Sequence, residues 1–231
     1  MPFEQICLSP QCSFPSTEEG KELTIEEQST RMRLAVEEGL GLSLLFFDTE
    51  TTGVPRNYKA PASDLKNWPR LVQIAWLLAD DDGGEIESAE YIVKPEGFTI
   101  PAEAARIHGI STEMAIRDGL DIKSVLAEAL MCLGKVSQLV GHNIDFDEKI
   151  LGAELLRAGH PNCVETKQRL CTMRSATDYC RLPGPYGYKW PKLEELHRKL
   201  FNQPLDGAHR ALVDVRACAK CYFELRRLKV M

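Results

Sequence analysis

The chain has 231 residues, 44% of them hydrophobic, and a formal charge of −6. That length and apolar content allow one sizeable core, while the acidic balance excludes a protein that grips polyanions by bulk positive charge alone. Eight cysteines without dense spacing, a start unlike a signal peptide, and apolar runs such as Ala75–Ala79, far shorter than a membrane helix needs, point to a cytoplasmic protein with free thiols and no membrane partner.

Residues 1–41 read as a partly helical N-terminal extension. Its first part holds Pro2, Pro10 and Pro15 and is irregular; residues 17–40 are rich in Glu, with Leu23, Ile25, Met32, Val36 and Leu40 at loosely helical spacing. One or two short helices packed on the main domain, residues 42–231, are expected there.

From Leu42 the pattern becomes a buried strand, followed by a polar loop holding Pro55, Pro61 and Pro69 and a second strand over 71–78. Asp80-Asp81-Asp82-Gly83-Gly84 signals a hairpin turn, with a returning strand over 90–94. Helices are predicted over 102–107 and 122–133, a short strand over 138–141, and a helix over 144–158. A fifth strand over 170–173 precedes helices over 191–200 and 211–228. Strands first, then alternating helices and strands, make this an α/β protein with a mixed sheet.

Asp48 and Glu50 lie two residues apart at the end of the first strand, so they project from one face. Two like charges there repel, and burial makes them worse unless a proton, a basic residue or a cation intervenes. All-oxygen ligands suit a hard divalent ion, although a solvated turn with both acids in water would explain the pair alone. Gly141-His142-Asn143-Ile144-Asp145-Phe146-Asp147 runs from a strand into a helix. Its acids could simply complement the helix dipole. His209-Arg210-Ala211-Leu212-Val213-Asp214 places a histidine ahead of a helix and an acid in its first turns, which could equally be a capping segment.

Taken in order, "FFDTETTG", "HNIDFD" and "HRALVD" resemble the three motifs of the DEDDh branch of DnaQ-like 3′-to-5′ exonucleases, the family of the epsilon proofreading subunit of bacterial DNA polymerase three. The resemblance covers about residues 43–228. It implies a ribonuclease H-like fold: a mixed five-stranded sheet with helices on both faces. It assigns Asp48, Glu50, Asp147 and Asp214 as metal ligands, choosing Asp147 over Asp145, with two Mg²⁺ or Mn²⁺ ions as cofactors. His209 becomes the general base, since a neutral imidazole can take a proton from the attacking water near neutral pH.

The implied partner is the 3′ end of single-stranded or frayed DNA, cut to nucleoside 5′-monophosphates; RNA or oligoribonucleotides are the alternative substrate. By the same resemblance Thr49, Thr51 and Thr52 meet the terminal sugar, His108 and Ile110 of the "HGI" segment line the terminal nucleotide, and Asn143 and Phe146 contact the end base or sugar. An ordinary helix end capped by Gly109 is the plain reading of that segment, and Phe146 could equally be core. A polymerase partner in trans is another expectation, and a catalytically idle binding protein is the reading from a different class. Retention of all five site residues weighs against the last. Tyr186-Gly187-Tyr188-Lys189-Trp190-Pro191 could stack bases or merely staple the helix that follows.

Overall fold

The computed structural model describes residues 43–207 and 210–231. The helices expected over 17–40, and with them the proposed extension, lie outside these residues. Five strands, β1 (Leu44–Thr51), β2 (Leu71–Ala79), β3 (Glu85–Ile92), β4 (Gln138–Gly141) and β5 (Gln168–Cys171), form one sheet in the order β3-β2-β1-β4-β5. The β1-β2-β3 meander is antiparallel, whereas β4 joins β1 and β5 joins β4 in parallel. The sheet is therefore mixed and five-stranded, with helices on both faces, as the resemblance implies.

The central position of β1 follows from its side chains. Leu44 and Phe46 point to one face and pack on Ala211, Val215, Cys218 and Tyr222; Leu45 and Phe47 point to the other, among Leu126, Ile150 and Leu151. A strand covered on both sides shows a continuous apolar run rather than alternation. β2 is buried along its whole length. Phe46 is fully buried, with the Tyr222 ring 5.3 Å away and edge-on; burying one such side chain contributes about 1.5–3 kcal/mol.

Two helices precede the first crossover, α1 (Ala102–His108) and α2 (Thr112–Asp118), and α3 (Ile122–Gly134) leads into β4. α4 (Ile144–Arg157) links β4 to β5, and short helices α5 (Thr172–Ser175) and α6 (Thr177–Cys180) follow. A two-stranded hairpin, β6 (Pro183–Gly184) and β7 (Gly187–Tyr188), stands before α7 (Leu193–Phe201) and α8 (Ala211–Arg227). α4 shares the core cluster of one face with α3, while α8 supplies the cluster of the other.

Three of the differences from the sequence reading have a plain physical reason. β3 starts at Glu85, not Glu90, because an exposed edge strand of alternating glutamates has too few apolar residues to announce itself and is defined by pairing with β2. The fifth strand begins and ends two residues early, since Thr172 and Met173 turn into α5. α2 escaped the reading because it spans only seven residues; its N-cap Ser111 accepts from the Met114 N–H.

The polar loop between β1 and β2 is tied down from α4. Glu154, 1% exposed, accepts from Arg70 Nε (2.8 Å), the Leu71 N–H (3.1 Å) and Arg157 Nη1 (2.8 Å). Arg157 Nη2 in turn donates to the Leu65 and Trp68 carbonyls, each at 2.7 Å. One buried carboxylate thus fixes the end of this loop where it enters β2.

Candidate active site

β1 delivers its acids where the apolar run ends. Asp48 and Glu50 are half-buried and share the face of Leu44 and Phe46, the side covered by α8. Asp214 sits in the first turn of that helix. Oxygen atoms of Asp48, Glu50 and Asp214 lie within 4.8 Å of one another, the one such acidic group among the described residues.

Asp147 reaches the same end of the sheet from α4, across β1. It is 3% exposed, and its Oδ1 accepts both the Thr49 N–H (2.9 Å) and the Thr49 hydroxyl (2.7 Å). Thr49 points away from Asp48 and Glu50 along the strand, so it can hold Asp147 on the opposite face. Asp145, two residues earlier, turns outward to Arg174. The structure therefore brings Asp48, Glu50 and Asp214 together, sets Asp147 outside that group but near enough to raise Asp48 and Glu50, and leaves Asp145 out. His209 lies outside the described residues.

The electrostatics carry the strain of this gathering. Asp48 is raised well above the ordinary carboxylate range, first by burial and then by Asp147, Glu50 and Asp214. Burial, then Asp214 and Asp147, pushes Glu50 up to about 8. Burial also pushes Asp147 up to about 7 against the two Thr49 bonds that favour its charged form. Hard oxygen donors that repel one another in a partly dry setting fit a divalent cation, which relieves desolvation and repulsion at once.

With Asp147 as a ligand, Thr49 would act on a bound ion through that carboxylate. Thr49→Val, which deletes the hydroxyl bond and keeps the shape, is expected to weaken Mn²⁺ binding about 10- to 100-fold. Thr49→Ser should restore it; titration calorimetry measures both, and parental affinity in the valine variant would remove Thr49 from this role.

The remaining expected residues are placed as follows. Thr51 is buried and its hydroxyl donates to the Gly53 carbonyl at 2.6 Å; the Thr52 hydroxyl accepts from the Arg70 N–H at 3.0 Å. Both shape the turn after β1. His108 ends α1, and Gly109 follows as a left-handed C-cap with φ 79°, so the plain helix-end reading holds for the backbone. The His108 side chain is 7% exposed, and its Nδ1 accepts from the Ile110 N–H at 3.1 Å. The neutral ring then carries its proton on Nε2, buried and facing the Thr51 carbonyl. Burial holds its pKa below the usual histidine value, opposed by the Thr51 carbonyl. Ile110 packs with Val72, Ile100, Ala104 and Ala115.

Asn143 begins α4 in the left-handed conformation, φ 73°, without a side-chain cap bond. Phe146 is half-buried between Tyr58 and Trp68, ring centroids 6.4 and 6.5 Å away. The sequence reading did not single out His142. His142 Nε2 lies 2.9 Å from the Pro191 carbonyl and Nδ1 lies 3.0 Å from the Thr172 hydroxyl. A carbonyl only accepts, so Nε2 bears the proton and Nδ1 accepts from Thr172. Burial lowers its pKa to about 4, which keeps the ring neutral. Nothing in the sequence separates this histidine from an exposed one, because its partners lie 30 and 49 residues away.

Comparison with known proteins agrees with this geometry. The RNase T family model, described as Exonuclease, matches residues 45–222. A protein of Escherichia phage 186, named "Uncharacterized exonuclease CP81", is 32% identical over 179 residues, spanning 74% of this chain and 82% of that protein. Among solved structures, a zinc-bound complex of E. coli exonuclease I with single-stranded DNA superimposes with a TM-score of 0.65 at 22% identity, covering 82% of this chain and 41% of that one. Exonuclease I of Methylocaldum szegediense gives 0.63 at 25% identity, covering 80% and 40%. This chain thus spans about two fifths of the exonuclease I chains it resembles.

Proposed function

The chain belongs to the RNase T exonuclease family, the DnaQ-like nucleases whose activity depends on divalent metal, and from that premise we propose that it removes nucleotides from the 3′ ends of single-stranded or frayed DNA by a two-metal mechanism, releasing nucleoside 5′-monophosphates. The observation that carries the reading is the cluster of Asp48, Glu50 and Asp214 at the end of β1, with Asp147 held beside it by Thr49.

Two Mg²⁺ or Mn²⁺ ions, when bound, supply the positive charge that water activation and the leaving 3′ oxygen require. Asp48, Glu50 and Asp214, with Asp147 beside them, would hold these ions through their carboxylate oxygens. His209, immediately ahead of α8 in the sequence, is the general base that accepts the proton of the attacking water. His108, whose buried Nε2 proton faces the Thr51 carbonyl, stands beside the turn at Thr51 and Thr52, where the terminal sugar is to lie. Asn143 and Phe146 flank the same ground from the start of α4.

The acidic overall charge fits this reading. Eight of the 34 acidic residues but only three of the 28 basic ones fall within residues 1–42, so the nuclease body is within one charge of neutral. Among the described residues no helix is long and apolar enough to cross a membrane.

The test uses 5′-labelled DNA and RNA oligonucleotides with Mg²⁺, Mn²⁺ or chelator. The expected product is a metal-dependent ladder shortening from the 3′ end, faster on DNA, with activity abolished by chelation. Folded protein that shortens neither strand with either metal would falsify the reading, and a faster ladder on RNA would reassign the substrate.

A further inference from the structure

The hairpin of β6 and β7 exposes aromatic rings in a way that packing does not explain. Tyr186 is fully exposed, Tyr188 51% and Trp190 60% exposed, and none of the three belongs to a core cluster. If these rings only stapled the start of α7, Trp190 would be covered by it. Aromatic rings left in water within one short segment mark a contact surface.

The segment is nonetheless held firmly. β6 and β7 pair through Pro183 with Tyr188 and Gly184 with Gly187, and the Lys189 N–H donates to the Leu182 carbonyl at 2.9 Å. Glu195 of α7 accepts from Lys189 Nζ (2.6 Å) and from the Lys192 N–H (2.8 Å), clamping both sides of Trp190. The Pro191 carbonyl is fixed by His142, the residue that leads into Asn143 and α4.

These bonds also connect the hairpin to the acidic site. Arg174 pairs with Asp145, two residues before Asp147 on α4, and its guanidinium lies 5.9 Å from the centre of the Trp190 ring. Thr172, the partner of His142, lies 3.6 Å from Cys218 on α8, one helical turn beyond Asp214. The exposed rings therefore begin where the α4 wall of the cluster ends, with Arg174, Lys189 and Lys192 interleaved among them.

We propose that this hairpin is a stacking platform for the bases upstream of the cleaved nucleotide in a single-stranded polynucleotide. The inference rests on the nuclease reading, and it assigns to the hairpin the part of the strand that the acids do not touch. Rigidly held aromatic faces with nearby cations suit single strands of any sequence, since every base has a face to stack. Through Arg174 and His142 the segment is tied to the start of α4, the helix that also carries Asp147. The rings contribute to holding the strand, so their effect falls on KM rather than kcat.

The experiment compares the parent with Trp190→Ala and with Tyr186→Ala/Tyr188→Ala on three substrates. Two are 20-nucleotide DNA and RNA single strands; the third is the p-nitrophenyl ester of thymidine 5′-monophosphate, which has no upstream base and reports whether the acidic site works. KM for the 20-mers is expected to rise about tenfold in Trp190→Ala, with Trp190→Phe recovering most of it and the loss on the ester much smaller. Parental KM values on both 20-mers would overturn the platform. So would an equal loss on ester and 20-mer, which would make the hairpin a support for the site. If the parent itself cleaves none of the three, the nuclease reading falls, and the platform with it.

Discussion

Asp48→Asn is expected to lower nuclease turnover by about three orders of magnitude or more while raising the thermal midpoint of the metal-free protein. The two effects have one cause. Asp48 sits at the centre of the acids, raised by burial and by Asp147, Glu50 and Asp214. Asparagine stays neutral there at any pH, which relieves repulsion in the metal-free fold, and it removes a carboxylate that the proposed metal site needs.

The same groups set the pH dependence of the metal-free protein. In the unfolded chain the carboxyls titrate near pH 4, whereas in the fold Asp147 is pushed up to about 7 and Glu50 up to about 8. Between those limits the folded state holds protons that the unfolded state has lost. Their contribution to stability is fully present below about pH 4 and is lost as pH rises through 7 and 8. In chelator, the midpoint should fall by about 5 °C or more between pH 5 and 8.5. Saturating Mn²⁺ should cancel that fall in the parent and only partly in Asp48→Asn. Calorimetric scans at the two pH values, with and without Mn²⁺, measure all of this; a flat midpoint in chelator would show that the acids are fully solvated.

The legibility of this site in the sequence follows the range of the interactions. Asp48 and Glu50 could be placed on one face from their spacing alone, because a strand repeats every two residues whatever surrounds it. Choosing Asp147 over Asp145 needed the family motif; the structure adds the physical reason, that Thr49 bonds one while Arg174 takes the other. Those pairings span 98 and 29 residues, and no local pattern encodes them. The strands β1 and β2 were legible because their apolar runs are long, whereas the order of the sheet, set by long-range pairing, was not read from the sequence. The edge strand β3 was half-missed, since its residues are dictated by solvent rather than by the core. Ile110 shows the opposite limit: a motif names the residue, while its side chain lies among Val72, Ile100 and Ala104.

Glu154→Ala is expected to be the most destabilising single change outside the hydrophobic core. The carboxylate receives Arg70, Arg157 and the Leu71 N–H at 1% exposure, so its loss leaves two guanidinium groups and one amide without their acceptor. Removing one partner of such a buried pair costs about 3–5 kcal/mol, which lowers the midpoint by about 6–20 °C in a domain of this size. The consequence should reach the site. Arg70 N–H and C=O bond the Thr52 hydroxyl and N–H at 3.0 Å each, so the turn that closes β1 beyond Glu50 is held by the same clasp. Well below its own midpoint, Glu154→Ala should therefore still show a raised KM for single strands with its metal affinity near parental, because Asp48 and Asp147 are fixed by β1 and Thr49 rather than by the loop. Thermal denaturation, Mn²⁺ calorimetry and steady-state rates on one oligonucleotide separate these effects. A midpoint within 2 °C of the parent would mean that loop packing around Trp68, and not the carboxylate, holds this side of the site.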